Sequence, residues 1–257
     1  MKNSLTGGNA HRKTPAVVTG GANGIGEAIA KRLSLSGHPV AIIDRDQRGS
    51  VRMERWAREH RRLLMSIVHD VTDIGQHRRV VKRIRKTLGP IGIFVNAAGM
   101  GVSHSFRRTT PEDLDTVLNT NLRGPFFLTQ AILRAMPRGG SIVFITSVHQ
   151  DEPVGDPTYS MSKAALKVLV KELALELGPS RRIRINGIAP GAIRHRKTVT
   201  PRFSRVPLGQ RRGTPEDIAH VVAFLVSPEA SYITGELVTV DAGLSLVNWI
   251  STEGMQP

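Results

Sequence analysis

Short apolar runs rich in β-branched residues alternate along the chain with longer stretches whose apolar positions recur every three to four residues. PAVVTG is followed by IGEAIAKRLSLSG, then by PVAIID, and the alternation continues to ELVTVDAG. The short runs read as strands buried on both faces and the longer stretches as amphipathic helices. Strand, helix, strand in that order predicts an α/β doubly wound parallel sheet with helices on both faces. Strands are expected near 15–19, 39–44, 64–69, 91–96, 141–146, 182–188 and 237–240. Ligands should bind beyond the carboxyl ends of these strands, where the topology changes direction.

No Pro/Gly/Ser-rich linker or charge block divides the 257 residues, so residues 14–257 are expected to form one domain behind a loose tail over 1–13. The tail is polar and lacks the apolar centre of a secretory signal. No apolar run reaches the length that crosses a bilayer, and without cysteine there is no disulfide or thiolate chemistry. A soluble cytoplasmic protein, with no membrane partner and no metal site, is the expectation. The formal net charge of +15 raises a polyanionic partner. Much of the excess, however, lies in RMERWAREHRR (52–62) and HRRVVKRIRK (77–86), where arginines interleave with apolar residues at helical spacing. That pattern reads as the solvated faces of two helices, and with aromatics at 4% no nucleic-acid partner is expected.

The first strand runs into TGGANGIGEAIA. Gly20 permits the tight strand exit, Gly24 allows a close backbone approach, and Gly26 lets the new helix pack on the sheet. Asn23 and Ile25 complete the turn, and the helix N-terminus then faces a pyrophosphate, as in a Rossmann-type dinucleotide site. Tight turns use the same residues; the strand before and helix after favour the dinucleotide. At the end of the second strand stands Asp44, whose carboxylate can accept both ribose hydroxyls of NAD and repels the 2′-phosphate of NADP. Arg45 beside it can pair with that phosphate instead. NAD is expected over NADP because the carboxylate opposes the extra charge directly.

In TYSMSK, Tyr159 and Lys163 lie four apart and so share one helix face. A nearby ammonium stabilises phenolate, and the pair is expected to act as a general acid/base with a lowered tyrosine pKa. Alone, the spacing also describes an ordinary surface pair. The strand GSIVFITS ends at Ser147 and can deliver a hydroxyl to the same place. Here the chain resembles the short-chain dehydrogenase/reductase family over nearly its whole length. The matches are TGGANGIG (19–26), DV (70–71), NAAG (96–99), NTNLRGPF (119–126), ITS (145–147), YSMSK (159–163), INGIAPGAI (185–193), PEDIA (215–219) and YITGELVTVDAG (232–243).

The resemblance implies a catalytic tetrad of Asn121, Ser147, Tyr159 and Lys163. Tyr159 would exchange a proton with the substrate oxygen while Ser147 holds that oxygen. Lys163 would bind nicotinamide-ribose hydroxyls, and Asn121 would anchor a water through its backbone. Asp70 and Val71 match residues that hold adenine, Asn96, Ala97 and Gly99 would lie along the cofactor, and Pro190, Gly191 and Ile193 would flank the carboxamide. The resemblance also implies a homotetramer built through helices near 122–136 and 157–178. Three departures stand out: Ser147 and Tyr159 are one residue closer than is common, His195 replaces the usual threonine after PGAIR, and DAG replaces DGG.

The leading expectation is an NAD-dependent alcohol dehydrogenase or ketone reductase, with SVHQ and GPFFLTQA resembling the sugar and polyol branch and His149 a candidate substrate contact. The 3-oxoacyl-acyl-carrier-protein reductase branch, using NADPH, is the alternative: Arg134 fits it and Leu175 does not. A non-catalytic NAD(H) sensor is the third reading, opposed by an intact tetrad. A substrate loop is expected over about 194–212, carrying Arg194, His195, Arg196, Lys197, Arg202, Arg205, Arg211 and Arg212 without an acidic residue. Its cations read either as a solvated loop that serves solubility or, from the loop's place near the nicotinamide, as the contact of a small-molecule substrate that is anionic, such as a sugar acid or hydroxy acid.

Overall fold

In the computed structural model, residues 13–153, 155–194 and 211–246 are described. Seven strands, β1 (Ala16–Thr19), β2 (Val40–Asp44), β3 (Leu64–Val68), β4 (Ile93–Asn96), β5 (Ser141–Ile145), β6 (Arg184–Pro190) and β7 (Leu237–Val240), form one sheet in the order β3-β2-β1-β4-β5-β6-β7. Every pair is parallel. The central strands β1, β4 and β5 are buried along their whole length. That is why they read as continuous apolar runs rather than as alternation.

Helices α1 (Gly24–Leu35), α2 (Gln47–Glu59) and α7 (Pro215–Val226) cover one face. Ile29, Leu33, Met53, Ile218, Val222 and Leu225 close a core there against Val18, Ile42 and Val95. On the other face lie α3 (His77–Leu88), α5 (Gly124–Leu133) and α6 (Pro157–Arg181), whose Val80, Ile84, Leu128, Ile132, Leu166 and Val170 pack on Phe94, Phe144 and Ile185. The short α4 (Pro111–Leu118) starts from a capping box in which Thr110 and Asp113 exchange bonds, and Thr214 with Asp217 does the same for α7. In α2 and α3 the buried side chains with apolar character are Met53, Ala57, Val80, Val81, Ile84 and Leu88, while the arginines between them are exposed. The two arginine-rich stretches are therefore outer helix faces, as expected. No helix among the described residues is long and apolar enough to cross a membrane.

The register sets Thr19 beside Ile43 and Asn96, Asn96 beside Phe144, and Ile145 beside Ile188. The carboxyl ends of the inner strands therefore meet at one level, and the order in which successive strands are laid down reverses between β1 and β4. Thr19 ties that switch point together. Its hydroxyl donates to Asn96 Oδ1 at 3.0 Å and accepts from the backbone N–H groups of Ala97 and Ala98, each at 3.1 Å.

Candidate active site

Beyond these strand ends lies a cavity of about 560 Å³. Gly20, Asn23, Gly24, Ile25, Gly26, Asp44, Arg45, Asp70, Val71, Ala97 and Gly99 line it. So do Ser147, Tyr159, Lys163, Pro190, Gly191 and Ile193, which come from the far end of the chain. Three expected site residues stand behind the wall. Asn96 is fully buried as the brace to Thr19, Asn121 is fully buried, and His149 packs against Tyr159. His195 and Arg196, with the rest of 195–210, lie outside the described residues.

The glycine turn fits a dinucleotide phosphate. Gly20 and Gly24 hold φ of 65° and 54°, the left-handed region that suits glycine. A Cβ on Gly26 would stand 2.1 Å from the Gly20 carbonyl oxygen, so only glycine lets α1 start this close to the strand exit. Asn23, at the N-cap of α1, makes no side-chain cap bond. Its amide instead donates to Asp46 at 2.9 Å and accepts from Arg52 at 3.0 Å, leaving the first-turn N–H groups turned to the cavity for an anion. Asp44 is fixed by two bonds, from Ala22 N at 3.0 Å and Asp46 N at 2.9 Å, and its oxygens keep lone pairs for ribose hydroxyls. Arg45 leans toward Asp70 at 3.9 Å. The residues present suit a nicotinamide dinucleotide.

At the other end, β5 delivers Ser147 and the first turns of α6 deliver Tyr159 and Lys163. Lys163 is 3% exposed, and its ammonium donates to the Ile145 carbonyl at 3.0 Å and stands 5.4 Å from the centre of the Tyr159 ring. Burial lowers its pKa to about 8. A Cβ on Gly99 would meet the ammonium at 3.2 Å, so the glycine keeps the approach open.

The expected lowering of the tyrosine pKa is corrected. Burial pushes the Tyr159 phenol up; the Ser147 hydroxyl pulls it down, and the Asp156 carboxylate adds to the rise. Burial is the largest of these influences, and the ammonium lies over the ring face.

Asn121 lies in a π-helical turn, Asn119–Arg123, between α4 and α5. Its amide nitrogen donates to the Met100 carbonyl at 2.7 Å and to Ser162 Oγ at 2.9 Å, and its oxygen accepts from Met100 N at 2.8 Å. The side chain thus braces the strand-exit loop on α6. His149 stands edge-on to Tyr159, with ring centres 5.4 Å apart, and burial lowers its pKa. Its Nδ1 is buried with no hydrogen-bond partner.

At the end of the basic stretch, one arginine is engaged by the fold itself. Arg211 grips Asp217 with bonds of 2.7 and 3.0 Å and holds that carboxyl well below the usual range, so it anchors α7. Arg194 does line the cavity. Sequence reading missed Met100, Gly101, Thr120 and Pro215 in the lining, and Asp156 behind it. The Asp-Pro pair before TYSMSK, a helix-start signal, was the cue for Asp156.

Residues 20–245 match a family model described as Enoyl-(Acyl carrier protein) reductase. The chain is 36% identical over 238 residues to Carbonyl reductase family member 4 of Danio rerio, covering 90% of this chain and 98% of the relative. It is 36% identical over 239 residues to the 3-oxoacyl-acyl-carrier-protein reductase FabG of Thermotoga maritima, covering 89% and 96%. A short-chain dehydrogenase/reductase from Serratia marcescens superposes with a TM-score of 0.86 at 32% identity, over 91% of this chain and 98% of the other. A blue fluorescent protein from a metagenomic library, in complex with NADPH, superposes with 0.85 at 32% identity over the same shares. With the strand-switch cavity, the glycine turn and relatives along nearly its whole length, the chain belongs to the short-chain dehydrogenase/reductase family of NAD(P)(H)-dependent oxidoreductases.

Proposed function

We propose that the protein interconverts a secondary alcohol and a ketone with NAD(H), acting on a sugar, polyol or hydroxy acid. One observation carries the reading: a phenol, an ammonium and a hydroxyl from three separate sequence positions line one cavity with a glycine turn suited to a dinucleotide. The dinucleotide supplies the hydride. Tyr159, with its pKa raised by burial, holds a proton for a carbonyl oxygen and receives it back in oxidation. Ser147 offers the same oxygen a hydrogen bond as charge develops there. Lys163 faces that space as a buried cation and orients the ribose, while Asn121 keeps Met100 and α6 in register. NAD is supported over NADP by the anchored Asp44 carboxylate and by the leaning of Arg45 toward Asp70.

His149 against Tyr159 supports a hydroxylated substrate, and Arg194 in the cavity wall supports an anionic one. A second reading, reduction of 3-oxoacyl thioesters with NADPH, is favoured by the 36% identity to FabG and by the exposed Arg134. Family members act as oligomers, and we place a homotetramer interface on α5 and α6. Phe126, Phe127, Met161, Val168 and Leu175 are exposed there.

The test is Tyr159→Phe in a turnover panel of sugars, polyols, hydroxy acids and 3-oxoacyl thioesters with each dinucleotide. Turnover should fall at least about a hundredfold with dinucleotide affinity unchanged. Turnover within a few-fold of the parent would refute the assignment.

A further inference from the structure

Asp156 holds two elements at once. Its Oδ1 accepts from the Tyr159 backbone N–H at 3.2 Å and from the Thr158 hydroxyl at 3.0 Å, capping the helix that carries Tyr159 and Lys163. Its Oδ2 reaches across to the loop after β4 and accepts from Ser103 N at 3.0 Å. Ser103 is a non-glycine residue at φ 57°, a conformation that costs energy unless something holds it. Between Met100 and Ser103 the loop lies close on the helix. A Cβ on Gly101 would stand 2.9 Å from Asp156 Oδ2 and 3.4 Å from Tyr159 Cδ2. Asn121 grips Met100 and Ser162 at one end of this stretch, and Asp156 grips Ser103 at the other.

Resting on the reading of Tyr159 as the proton-exchanging group, we propose that Asp156 is a positioning residue for the reaction. It fastens the Gly99–Ser103 loop, whose Gly99, Met100 and Gly101 line the cavity, to the first turn of α6, so that wall and phenol keep one geometry, and it sets a carboxylate near the edge of the Tyr159 ring. The groups facing that phenol are Lys163 on α6, the Ser147 hydroxyl from the end of β5, His149 from the turn after it, and Asp156 at the helix start. Of these, the carboxylate alone opposes formation of phenolate by its charge. It favours the protonated phenol, the form that donates to a carbonyl oxygen while the adjacent carbon takes hydride from the reduced dinucleotide. Asp156 thereby widens the pH range of the reductive direction.

The chain has two tyrosines, and Tyr232 is fully exposed. In a Tyr232→Phe background the phenolate absorbance therefore reports Tyr159 alone and needs no substrate. Asp156→Asn keeps an oxygen for the cap but turns an amide toward Ser103 and removes the charge. Its phenolate midpoint should fall by about half a pH unit or more, as expected for a single nearby charge in a partly buried site. Its kcat should fall about tenfold, the scale of a slightly displaced group, with dinucleotide affinity within about twofold of the parent. Asp156→Ala should show the same titration and lose in addition roughly 2–4 °C of melting temperature through the missing cap. An Asn variant with parental midpoint and kcat, beside a destabilised Ala variant, would reduce Asp156 to a helix cap and overturn the proposal. If Tyr159→Phe stays active, the tetrad reading falls and the role in turnover with it. If Tyr159→Phe is dead and Asp156→Asn behaves as the parent, Asp156 alone is refuted.

Discussion

Replacing Lys163 with methionine should stabilise the cofactor-free protein while abolishing turnover. The ammonium is 3% exposed, and burial brings its pKa from 10.5 to about 8. At about 1.4 kcal/mol per pH unit, keeping it charged below pH 8 costs the folded state about 3 kcal/mol. Methionine has a similar length, stays neutral and removes that cost, but it forfeits the bond to the Ile145 carbonyl and leaves that oxygen unpaired, worth about 1–2 kcal/mol. The net gain is about 1–2 kcal/mol, a rise of roughly 4 °C in melting temperature for a chain of this size. The sign with pH follows from proton counts. Below about 8 both states hold the proton and the wild type bears the full cost. Between about 8 and 10.5 the unfolded chain binds more protons than the folded one, so wild-type stability rises with pH. The gap to the variant must close over that window. Melting curves followed by circular dichroism at about pH 7 and about pH 9.5 measure it. A methionine variant that is no more stable near neutrality, or whose advantage grows with pH, would show that the ammonium is compensated where it lies.

Two further outcomes follow. Asp44→Ala should weaken NAD binding roughly tenfold and improve NADP, as the carboxylate that would hold the ribose and repel the phosphate is removed; a parent that prefers NADP in titration would overturn the cofactor reading. Sedimentation at micromolar concentration should give a tetramer of the 28.0 kDa chain, and the mass of a single chain would refute the interface on α5 and α6.

The strands were legible within one or two residues because a parallel strand buried on both faces leaves an unbroken apolar run, as AVVT and SIVFI do. The glycine turn was legible for a related reason. Left-handed φ at Gly20 and Gly24 and the contact of Gly26 with Gly20 demand a residue type rather than a neighbour. Asp156 was not legible as a clamp, since its partner Ser103 lies 53 positions away and no local pattern announces the meeting. Arg211 is a different case: its partner Asp217 is only six positions on, but a basic stretch read as a whole does not show which of its cations the next helix start engages. The tyrosine pKa went the other way because spacing places a cation near a phenol without revealing how much water both have lost.

The bond from Thr19 to Asn96 joins residues 77 positions apart, at the point where the sheet reverses. During synthesis β1 can find β2 early, yet its other neighbour, β4, leaves the ribosome only after α1, α2, α3 and two strands have been made. The glycine turn therefore has no opposite wall until about the first hundred residues are made, and the phenol and ammonium arrive later still. A dinucleotide in the cell meets its cradle only after most of the chain is committed, so the nucleotide can stabilise the finished fold but cannot template its beginning.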